Sequence, residues 1–461
     1  MITASRPTKG RLFPLLVSLC LGTLFSSLVS GCGRQKAEVA DRPVAEAVTE
    51  SGGATASPAE QAAAPVTPDD PQAVEQLKAA GFLFVTGDDG NVSEFSIASQ
   101  TDISDVFAHL AGIPNAVSAI FTGPGITDKG LEHLAQLKGL RRLDLSDSAI
   151  TPDVLKIVGE LKNLEVLRLR RTAVTDPSLA HLAGLSRLRA LDLRNTNVAD
   201  EGMQHIAKLK SLNDLQLEKS KVNDPGIAML ARLPLTSFNV NYCTTVSNAS
   251  LEVLGKITSL RSIQLDATKI TDAGMVHLTG LKNLTRLRIR DTDVTGEGFA
   301  HIAGLTNLER LELRGTSLDD AGVAVIGNLP KVNYLDIAEC RLVSPEGLKP
   351  IGKLKNLTYL GFWETKLDDE AIAALGDLTA LTELDLKATQ ITDEAVSTIL
   401  KFQKLKRLNV AGTQLTDEGF RQFATLPNLK YINVANTNIG YDVVDELAAA
   451  NGGMEVVEFG E

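Results

Sequence analysis

Apolar residues recur along the chain in a unit of about two dozen residues, from near residue 95 to the C-terminus. One unit begins at Leu140 and reads LRRLDLSDSAITPDVLKIVGELKN, and similar units begin at Leu164, Leu284 and Leu405. The first apolar residue of each core pair recurs every 24 residues, except for one step of 23 residues and two steps of 25. These residues are Leu143, Leu167, Leu191, Leu215, Phe238, Ile263, Leu287, Leu311, Leu335, Leu360, Leu384, Leu408 and Ile432. Such a period predicts a solenoid, in which each unit buries its apolar face only against its neighbours.

Each unit has the pattern of a short strand followed by a helix. Leu-Arg-Leu or Leu-Asp-Leu alternates apolar and polar residues, which predicts a half-buried strand. A small polar residue follows three positions later, and a Thr-Asp-like pair such as Thr271-Asp272 then precedes a stretch such as GMVHLTGL. For this stretch we predict a helix of two to three turns, capped by the Thr or Asp. A recurrent glycine, such as Gly274 or Gly298, is expected to let the helix approach the layer beneath.

Both ends of the repeat array are predicted to carry caps, which a solenoid needs to remain soluble. The segment GFLFVTGDDGNVSEFSI, residues 81–97, predicts a hairpin with its turn at residues 88–91. Val457 and Phe459 follow Ile432 and Val434 at one of the longer steps and are predicted to form the last strand. We therefore place a repeat domain at residues 75–461, with a hairpin cap at about 75–100 and a strand cap at about 440–461.

The segment before the repeat domain, residues 1–74, predicts an export signal and a tether. Residues 6–11 contain three basic residues and residues 12–28 are apolar, as in a signal peptide. Val29-Ser30-Gly31-Cys32 follows and resembles the lipobox of bacterial lipoproteins, in which the cysteine is acylated and becomes the first mature residue. A plain signal peptide or an uncleaved anchor with an incidental cysteine is the alternative. Residues 32–74 are rich in Ala, Pro, Thr and Glu without an aromatic residue, which predicts a disordered tether.

The lipobox implies where the protein resides. Residues 1–31 would be removed, and lipid on Cys32 would anchor the chain to a membrane of the bacterial cell envelope. Gly33 rather than Asp follows the cysteine, which favours the outer membrane or the cell surface over the inner membrane. The formal net charge is −11, and this acidity argues against nucleic-acid binding, although it leaves room for a local basic patch.

The repeat residues resemble the leucine-rich repeat family over roughly residues 90–461. The pattern LxxLxLxxTxITDxGLxxLxxL is close to the cysteine-containing subtype, although Thr usually stands here where the family has Asn or Cys. The resemblance implies an α/β fold: a curved solenoid with a parallel β-sheet on the concave face and helices on the convex face. It also implies a protein-binding module, since few members of the family are enzymes.

Residue types that often serve chemistry fall into repeat positions. Six histidines all occupy one site of the repeat helix, fourteen positions after the first strand residue of their unit: His109, His133, His181, His205, His277 and His301. We interpret them as repeat-consensus residues. Zinc bound between adjacent repeats is the alternative, but the sequence has no HExxH motif and no third ligand nearby. Cys243 and Cys340 occupy the small polar position four strands apart, too far for a disulfide, and are predicted to be buried thiols. We therefore predict no catalytic residue, no metal and no cofactor.

One group of side chains on the predicted concave face stands out as a candidate ligand-binding site. The residues before the first strand Leu of four successive units are Arg286, Arg310, Tyr334 and Tyr359, and the residues after the second are Arg290, Arg314, Ala338 and Trp363. Arginines directly opposite each other in a sheet are unfavourable unless they are compensated, and Arg, Tyr and Trp are typical of interface hot spots. Glu309, Glu312 and Asp291 could neutralise part of this patch, in which case it is a solvated face. A second, smaller patch consists of Arg168, Arg170, Arg171 and Arg194.

The sequence thus predicts a non-catalytic, lipid-anchored protein outside the cytoplasm that binds a macromolecule through its concave face. A protein is the first candidate for this ligand. An anionic carbohydrate or another polyanion, held by the arginine and aromatic columns, is the alternative. Salt dependence separates the two, because capture of a polyanion weakens steeply with ionic strength.

Overall fold

A computed structural model of the protein describes residues 67–459. In this range the chain forms one sheet of seventeen strands. The strands are Leu83–Thr86 (β1), Val92–Ala98 (β2), Ser118–Thr122 (β3), Arg142–Asp144 (β4), Val166–Arg168 (β5), Ala190–Asp192 (β6), Asp214–Gln216 (β7), Ser237–Asn239 (β8), Ser262–Gln264 (β9), Arg286–Arg288 (β10), Arg310–Glu312 (β11), Tyr334–Asp336 (β12), Tyr359–Gly361 (β13), Glu383–Asp385 (β14), Arg407–Asn409 (β15), Tyr431–Asn433 (β16) and Glu455–Val457 (β17). From β2 onward each strand pairs in parallel with the strand of the next repeat, which confirms the α/β solenoid.

Helices connect the strands, and in about half of the repeats they are shorter than predicted. The α-helices are Pro71–Ala79, Val154–Val158, Asp200–Ile206, Asp224–Ala228, Asn248–Leu254, Asp272–Met275, Gly296–Ala300, Asp320–Ile326, Pro345–Leu348, Asp369–Ala373, Val396–Ile399, Asp417–Gln422 and Tyr441–Ala449. The 3-10 helices are Ser104–Gly112, Leu131–Gln136, Asp176–Gly184, Val276–Gly280, Lys349–Lys353, Asp393–Ala395, Phe423–Thr425 and Ala450–Gly452. About half of the repeats contain one to two helical turns and the others two to three, several of these as an α-helix followed directly by a 3-10 helix. A 3-10 helix rises about 2.0 Å per residue and covers the return path with fewer residues.

The core is a ladder of strand side chains from successive repeats. Leu287 pairs with Leu311 and Leu311 with Leu335, and all three are buried. The small polar residue after each strand closes this layer. Thr292 and Thr316, for example, are buried and donate their hydroxyl hydrogens to the carbonyl oxygens of Ile289 and Leu313, at 2.7 and 2.8 Å. This bond explains why Thr suits the position, because a buried hydroxyl needs a partner.

An aspartate ladder joins the start of most repeat helices to the next repeat, with Asn248 in place of aspartate at one step. The carboxylate of Asp393 accepts the backbone N–H of Thr416 at 2.9 Å, and Asp200 accepts that of Asn223 at 2.7 Å. The recurrent glycine makes room for this carboxylate. A Cβ on Gly419 would lie 2.2 Å from Asp393 Oδ1, which confirms that glycine lets the helix approach the layer beneath. The aspartates therefore bridge repeats as well as standing at helix N-termini.

This pairing predicts a coupled effect of two substitutions. Asp393→Ala removes the charged acceptor of the Thr416 N–H and should cost about 1–3 kcal/mol. Gly419→Ala should cost about 1–3 kcal/mol alone, from steric overlap, but far less when Asp393 is already Ala. Urea denaturation of the wild type, both single variants and the double variant gives the coupling energy, expected at about 1 kcal/mol or more. If the costs of the two substitutions were strictly additive, Gly419 would not be needed to make room for the Asp393 carboxylate.

The N-terminal hairpin is confirmed, but the domain begins earlier than predicted. β1 and β2 pair antiparallel with a turn at residues 88–91. The predicted boundary at residue 75 falls inside the helix Pro71–Ala79, which buries Leu77 against the first repeat. Asp70 caps this helix, and the Asp69 carboxylate accepts the backbone N–H of Val92 at 2.5 Å. The cap therefore includes residues that we had assigned to the tether.

The last strand forms, but its predicted register is wrong by one residue. Ile432 pairs with Val456 and Asn433 with Val457, so the final step has the usual length and is not one of the longer steps. Phe459 is 84% exposed and does not enter the core. The helix Tyr441–Ala449 is longer than the α-helices of the other repeats, and the 3-10 helix Ala450–Gly452 follows it with Asn451 at positive φ. The regular step between repeats therefore continues into the last strand.

Two further predictions concern cysteines and the N-terminal segment. Cys243 and Cys340 are buried and free, as predicted, and the Cys340 thiol contacts the carbonyl oxygen of Leu313 at 3.2 Å. Burial raises the pKa of the Cys340 thiol to about 12, so it stays protonated and unreactive at neutral pH. The predicted signal peptide, Cys32 and residues 32–66 of the tether lie outside the described residues.

Candidate functional site

The seven residues of the candidate site lie together on the exposed face of the sheet. This face is lined by three columns, formed by the residues one before, one after and three after the first apolar residue of each strand. Arg286, Arg310, Tyr334 and Tyr359 are register partners on four neighbouring strands of the first column. Arg290, Arg314 and Trp363 belong to the third column, because each follows its strand. The structure brings these residues together, and their role in binding stays a prediction.

A buried glutamate organises the arginines of this face. Glu312 lies in the middle column with its side chain 1% exposed. Its Oε1 accepts from Arg286 Nε at 2.9 Å and from Arg310 Nε at 2.6 Å, and its Oε2 accepts from Arg290 at 2.7 Å. Arg288 Nε lies 3.8 Å from Glu312 Oε2 and 2.5 Å from the Asp266 carboxylate. Four arginines therefore surround one carboxylate, and Asp266 supports them from the preceding repeat.

Glu312, one of the three carboxylates that the sequence offers to neutralise the patch, compensates the like charges of the arginines. Arg286 and Arg310 are neighbours in the first column, as expected, but both guanidiniums turn to the same oxygen of Glu312. In the third column Arg290 binds Glu312 and lies 3.4 Å from Asp336, while Arg314 lies 3.3 Å from Glu339. The arginines are thus positioned by ion pairs, and much of their charge is already balanced within the protein.

The pKa of each buried carboxylate shows how far this compensation goes. Burial alone would raise the pKa of Glu312, but Arg286, Arg310 and Arg290 bring it below its usual value. Burial outweighs the compensating contacts at Asp336 and Asp266. It raises the pKa of Asp336 despite Arg290, the Ala338 N–H and the more distant Arg314, and it raises the pKa of Asp266 despite Arg288 and Arg290. Burial likewise raises the pKa of Asp385. The charge of the face therefore changes along the sheet, from arginine-rich at β10 and β11 to incompletely compensated carboxylates at β12 and β14.

Two stacks of cations and aromatic rings lie on either side of the middle column. In the first column the Arg310 guanidinium lies 3.7 Å from the Tyr334 ring centroid, and Tyr334 stacks on Tyr359 with centroids 4.0 Å apart and planes 5° apart. In the third column Arg314 and Lys387 lie 5.4 and 5.0 Å from the centroid of Trp363. Such contacts fix large side chains before any ligand arrives.

The tyrosine hydroxyls of the first stack serve as neutral hydrogen-bonding groups. Burial raises the pKa of Tyr334 to about 12 and also raises that of Tyr359. Gly361 forms the floor of the middle column here, and a Cβ on it would lie 3.0 Å from the Tyr359 hydroxyl and 3.1 Å from Asp336 Oδ1. The absent side chain lets the Tyr359 ring lean over the floor of the sheet.

The smaller arginine patch is paired in the same way. Arg168 lies 3.5 Å from Asp144, and Arg170 and Arg171 bind the two oxygens of Asp147 at 2.8 and 2.5 Å. Arg194 binds Asp192 at 2.6 Å. The four arginines are brought onto neighbouring repeats, as predicted, but each is paired with a carboxylate and no aromatic ring lies among them.

The histidines lie on or directly after the repeat helices and are partly exposed or exposed. Within residues 67–459, no three His, Cys, Asp or Glu side chains come close enough to hold a metal ion. In the same range, no helix has the length and apolar character needed to cross a membrane.

Comparison with known families identifies the fold. A family model described as a leucine-rich repeat region matches residues 124–338 and 326–450. The chain belongs to the leucine-rich repeat family. The matched residues include every strand of the candidate site, so the exposed sheet face described above is the leucine-rich repeat concave face. No curated protein matches the sequence.

Solved structures show the same repeat architecture at low identity. A leucine-rich repeat protein of Leptospira interrogans is 22% identical, with 76% of this chain and 91% of that chain covered and a TM-score of 0.51. A chain of the yeast Rad7 and Elc1 complex is 20% identical, with 73% and 84% covered and a TM-score of 0.52. The internalin InlF of Listeria monocytogenes is 20% identical, with 80% and 87% covered and a TM-score of 0.42.

Sequence reasoning missed two contributors to the concave face and understated a third. It named Glu312 as a residue that could neutralise part of the patch, but not as the common partner of four arginines. Asp266 was not identified, although it lies three residues after the first apolar residue of its strand. Lys387 lies at the equivalent position, one repeat after Trp363 and two after Ala338, and was not identified either. A column-by-column alignment of the repeats would have found Asp266 and Lys387, since both lie in the third column.

Proposed function

We propose that this protein is a non-catalytic binding protein that recognises another protein through its concave face. Leucine-rich repeat proteins typically mediate protein binding. The observation that carries the proposal is the pair of ordered stacks, Arg310–Tyr334–Tyr359 and Arg314–Trp363–Lys387, on adjacent repeats of that face. Tyr, Trp and Arg are the residue types that contribute most at protein interfaces, and here they are held rigid before binding.

The proposal extends to where the protein acts. Val29-Ser30-Gly31-Cys32 after an apolar stretch supports a lipid anchor on Cys32 and a place at the bacterial cell envelope, at the outer membrane or the cell surface. The concave face would then act outside the cytoplasm, held by the segment that precedes the helix Pro71–Ala79.

The balance of charge favours a protein over a polyanion as the ligand. Arg286, Arg288, Arg290 and Arg310 are engaged with Glu312 and Asp266, and the carboxylates of Asp336 and Asp385 lie beside the aromatic rings. A long anion laid along these columns would meet those carboxylates. A protein surface can offer both charges and apolar groups in turn, as this face requires.

The test is site-specific photocrosslinking with the repeat domain. Residues 67–459 contain the whole ladder core and both caps, so a chain spanning residues 67–461 is a folding unit. A photocrosslinking residue at Glu383, which is exposed beside Tyr359 in the first column, should capture one protein from the native envelope, whereas the same residue at Glu252 on a helix should not. Tyr334→Ala and Trp363→Ala should each weaken the binding by about 2 kcal/mol, roughly 30-fold.

Arg421→Ala serves as the matched control. Arg421 is a helix residue on the opposite side of the repeats and binds Asp442 and Glu446, so its removal changes charge without touching the concave face. Equal capture by all variants would place the binding surface elsewhere. If capture weakens steeply as the salt concentration rises, and if the domain also binds an anionic glycan matrix, a polyanion rather than a protein is the ligand.

A further inference from the structure

The two edges of the sheet carry opposite charge. All strands from β2 onward run parallel, so every loop that enters a strand lies at one edge and every turn that leaves a strand lies at the other. We number positions from the first apolar residue of each of the thirteen strands from Leu143 to Ile432. The basic rim is defined as the six residues at positions −7 to −2 of each repeat. It holds eighteen Lys and Arg against four Asp and Glu, and all eighteen basic residues are exposed.

The opposite edge is acidic to a similar degree. We define the acidic rim as the seven residues at positions +4 to +10 after the same thirteen strand residues. It holds twenty-two Asp and Glu against six Lys and Arg. Five exposed glutamates recur at the last of these seven positions, Glu201, Glu297, Glu370, Glu394 and Glu418. The net charge of −11 for the whole chain conceals this separation, which only the parallel stacking of the repeats creates.

The basic rim is largely uncompensated from within the protein. Many of its side chains bond to neutral oxygens, as Lys331 does to Asn307 Oδ1 at 2.7 Å and Lys282 to the carbonyl oxygen of Gly304 at 3.2 Å. Among the described residues, four of the eighteen form ion pairs: Arg141, Lys162, Lys256 and Lys355. A row of exposed cations therefore runs the length of the repeat array, available to an external anionic surface.

We propose that this surface is the acidic rim of a second copy of the chain. Both rims follow the same stack of strands, so their charges recur at the same interval of about 4.8 Å per repeat. A second copy displaced sideways, without rotation, brings each repeat of its acidic rim beside the equivalent repeat of the first copy's basic rim. An unrelated partner would need charges spaced at the same interval along a surface that follows the basic rim.

The in-register arrangement agrees with the charges repeat by repeat. In six of the thirteen repeats the basic rim is net positive where the acidic rim is net negative, and in three the two rims have the same sign. The largest opposite charges occur near the C-terminal end, where Lys401, Lys404 and Lys406 would face Asp417 and Glu418 of the neighbour. Opposite charge across an interface favours association and fixes its register.

The contact joins two different surfaces, so it does not close on itself. Each copy keeps one unused rim, and further copies add in an open row. The three columns of the concave face belong to neither rim, so every copy in the row leaves its concave face uncovered. The association is therefore compatible with ligand binding but does not depend on it.

The test uses the domain of residues 67–461 and two matched variants, each lacking five charges. One changes Lys353, Lys355, Lys401, Lys404 and Lys406 to Gln, and the other changes Glu201, Glu297, Glu370, Glu394 and Glu418 to Gln. Neither set includes an aspartate of the ladder. Sedimentation velocity at low salt should show the wild type associating with rising concentration and dissociating at high salt. Each variant alone should associate at least on the order of tenfold more weakly, because several exposed ion pairs are lost.

Mixing the variants gives the decisive result. Each keeps the rim that the other has lost, so an equimolar mixture should form a one-to-one complex that stops growing, unlike the wild type. Tyr334→Ala and Trp363→Ala should leave the association unchanged. A wild type that stays monomeric at low salt overturns the proposal. So does a mixture that behaves like its components, or a basic rim that binds anionic vesicles or polyphosphate while the protein stays monomeric.

Discussion

Glu312→Gln should lower the free energy of unfolding of the repeats around it by about 3–5 kcal/mol, the cost of removing one partner from a buried ionic network. The side chain of Glu312 is 1% exposed, and Arg286, Arg290 and Arg310 all bind it at 2.6 to 2.9 Å. A neutral amide keeps the volume and some hydrogen bonds but leaves these guanidiniums half-buried without their common counter-charge.

Hydrogen exchange is the appropriate measurement, because a repeat protein can open locally. Amides of the strands Arg286–Arg288, Arg310–Glu312 and Tyr334–Asp336 should lose protection first, and the urea midpoint should fall. Glu309→Gln is the matched control, since it removes the same charge from an exposed residue three positions away and should change stability by less than about 0.5 kcal/mol. Equal effects of the two substitutions would mean that the arginines do not rely on Glu312.

The same variant has a defined pH dependence. Because the pKa of Glu312 is lower in the folded protein, its stabilising effect is present above the unfolded value of about 4.3 and is lost as pH falls through the lower folded value. The difference in stability between wild type and Glu312→Gln should therefore be full at neutral pH and shrink only below about pH 4. A difference that shrinks between pH 8 and 5 would require another group.

Phe121→Ala should destabilise the N-terminal cap by about 3–5 kcal/mol, the usual cost of removing a fully buried phenylalanine. Phe121 is fully buried, and its ring centroid lies 5.3 Å from that of Phe107 and 5.5 Å from that of Phe95, both nearly edge-to-face. Phe82 completes the cluster. The hairpin and the helix Pro71–Ala79 cover one end of the array, so these rings replace the neighbouring repeat that an internal unit would have.

Thermal unfolding and hydrogen exchange together measure this effect. The cap amides at residues 82–122 should lose protection before those of the central repeats. Phe459→Ala is the matched control, because that ring is 84% exposed at the other end of the chain and its loss should change stability by less than about 0.5 kcal/mol. If exchange in the cap is no faster in Phe121→Ala than in the control, the aromatic cluster does not stabilise the end of the array.

The repeat period alone was enough to place the strands of the array. From Leu143 to Ile432 every predicted strand residue is a register partner of the next, including across the shorter step and the longer steps. The period succeeds because each repeat buries its apolar residues against two near-identical neighbours, so local pattern and tertiary contact agree. The prediction for the last strand failed because it assumed one of the longer steps, whereas Val456 rather than Val457 pairs with Ile432 at the regular step.

The candidate site was only half predictable. Column positions placed Arg310, Tyr334 and Tyr359 side by side, since register on a parallel sheet follows from the step between repeats. The directions that the side chains take did not follow. The sequence left open how far carboxylates neutralise the arginines, whereas the structure shows Glu312 drawing the guanidiniums together and Arg310 stacking on Tyr334. Burial decides these directions, because a carboxylate in the floor of the sheet binds whatever donors lie above it.

Backbone geometry shows the same division. In each repeat from Leu143 to Ile432 the residue four positions after the first strand residue has positive φ, and in eleven of the thirteen repeats it is not glycine. Residues as different as Asp147, Arg171 and Tyr242 take this conformation, so the residue type at this position does not predict the positive φ. In the repeats before the last, the backbone N–H of this residue donates to the next repeat, as those of Asp147 and Tyr242 do to the carbonyl oxygens of Arg170 and Asp266 at 2.9 and 2.7 Å, so the stacking of repeats holds the turn.

The sequence by itself determined the repeat, the strand positions, the buried ladder and the residue types on each column, because all of these depend on spacing along the chain. Only the tertiary structure decided which charges meet. It gathered four arginines around Glu312, set the Asp393 carboxylate against Gly419 and the next repeat, and separated eighteen basic from twenty-two acidic residues onto opposite rims. Charge acts through distance in space, and stacked repeats bring together residues that lie a full repeat apart in the sequence.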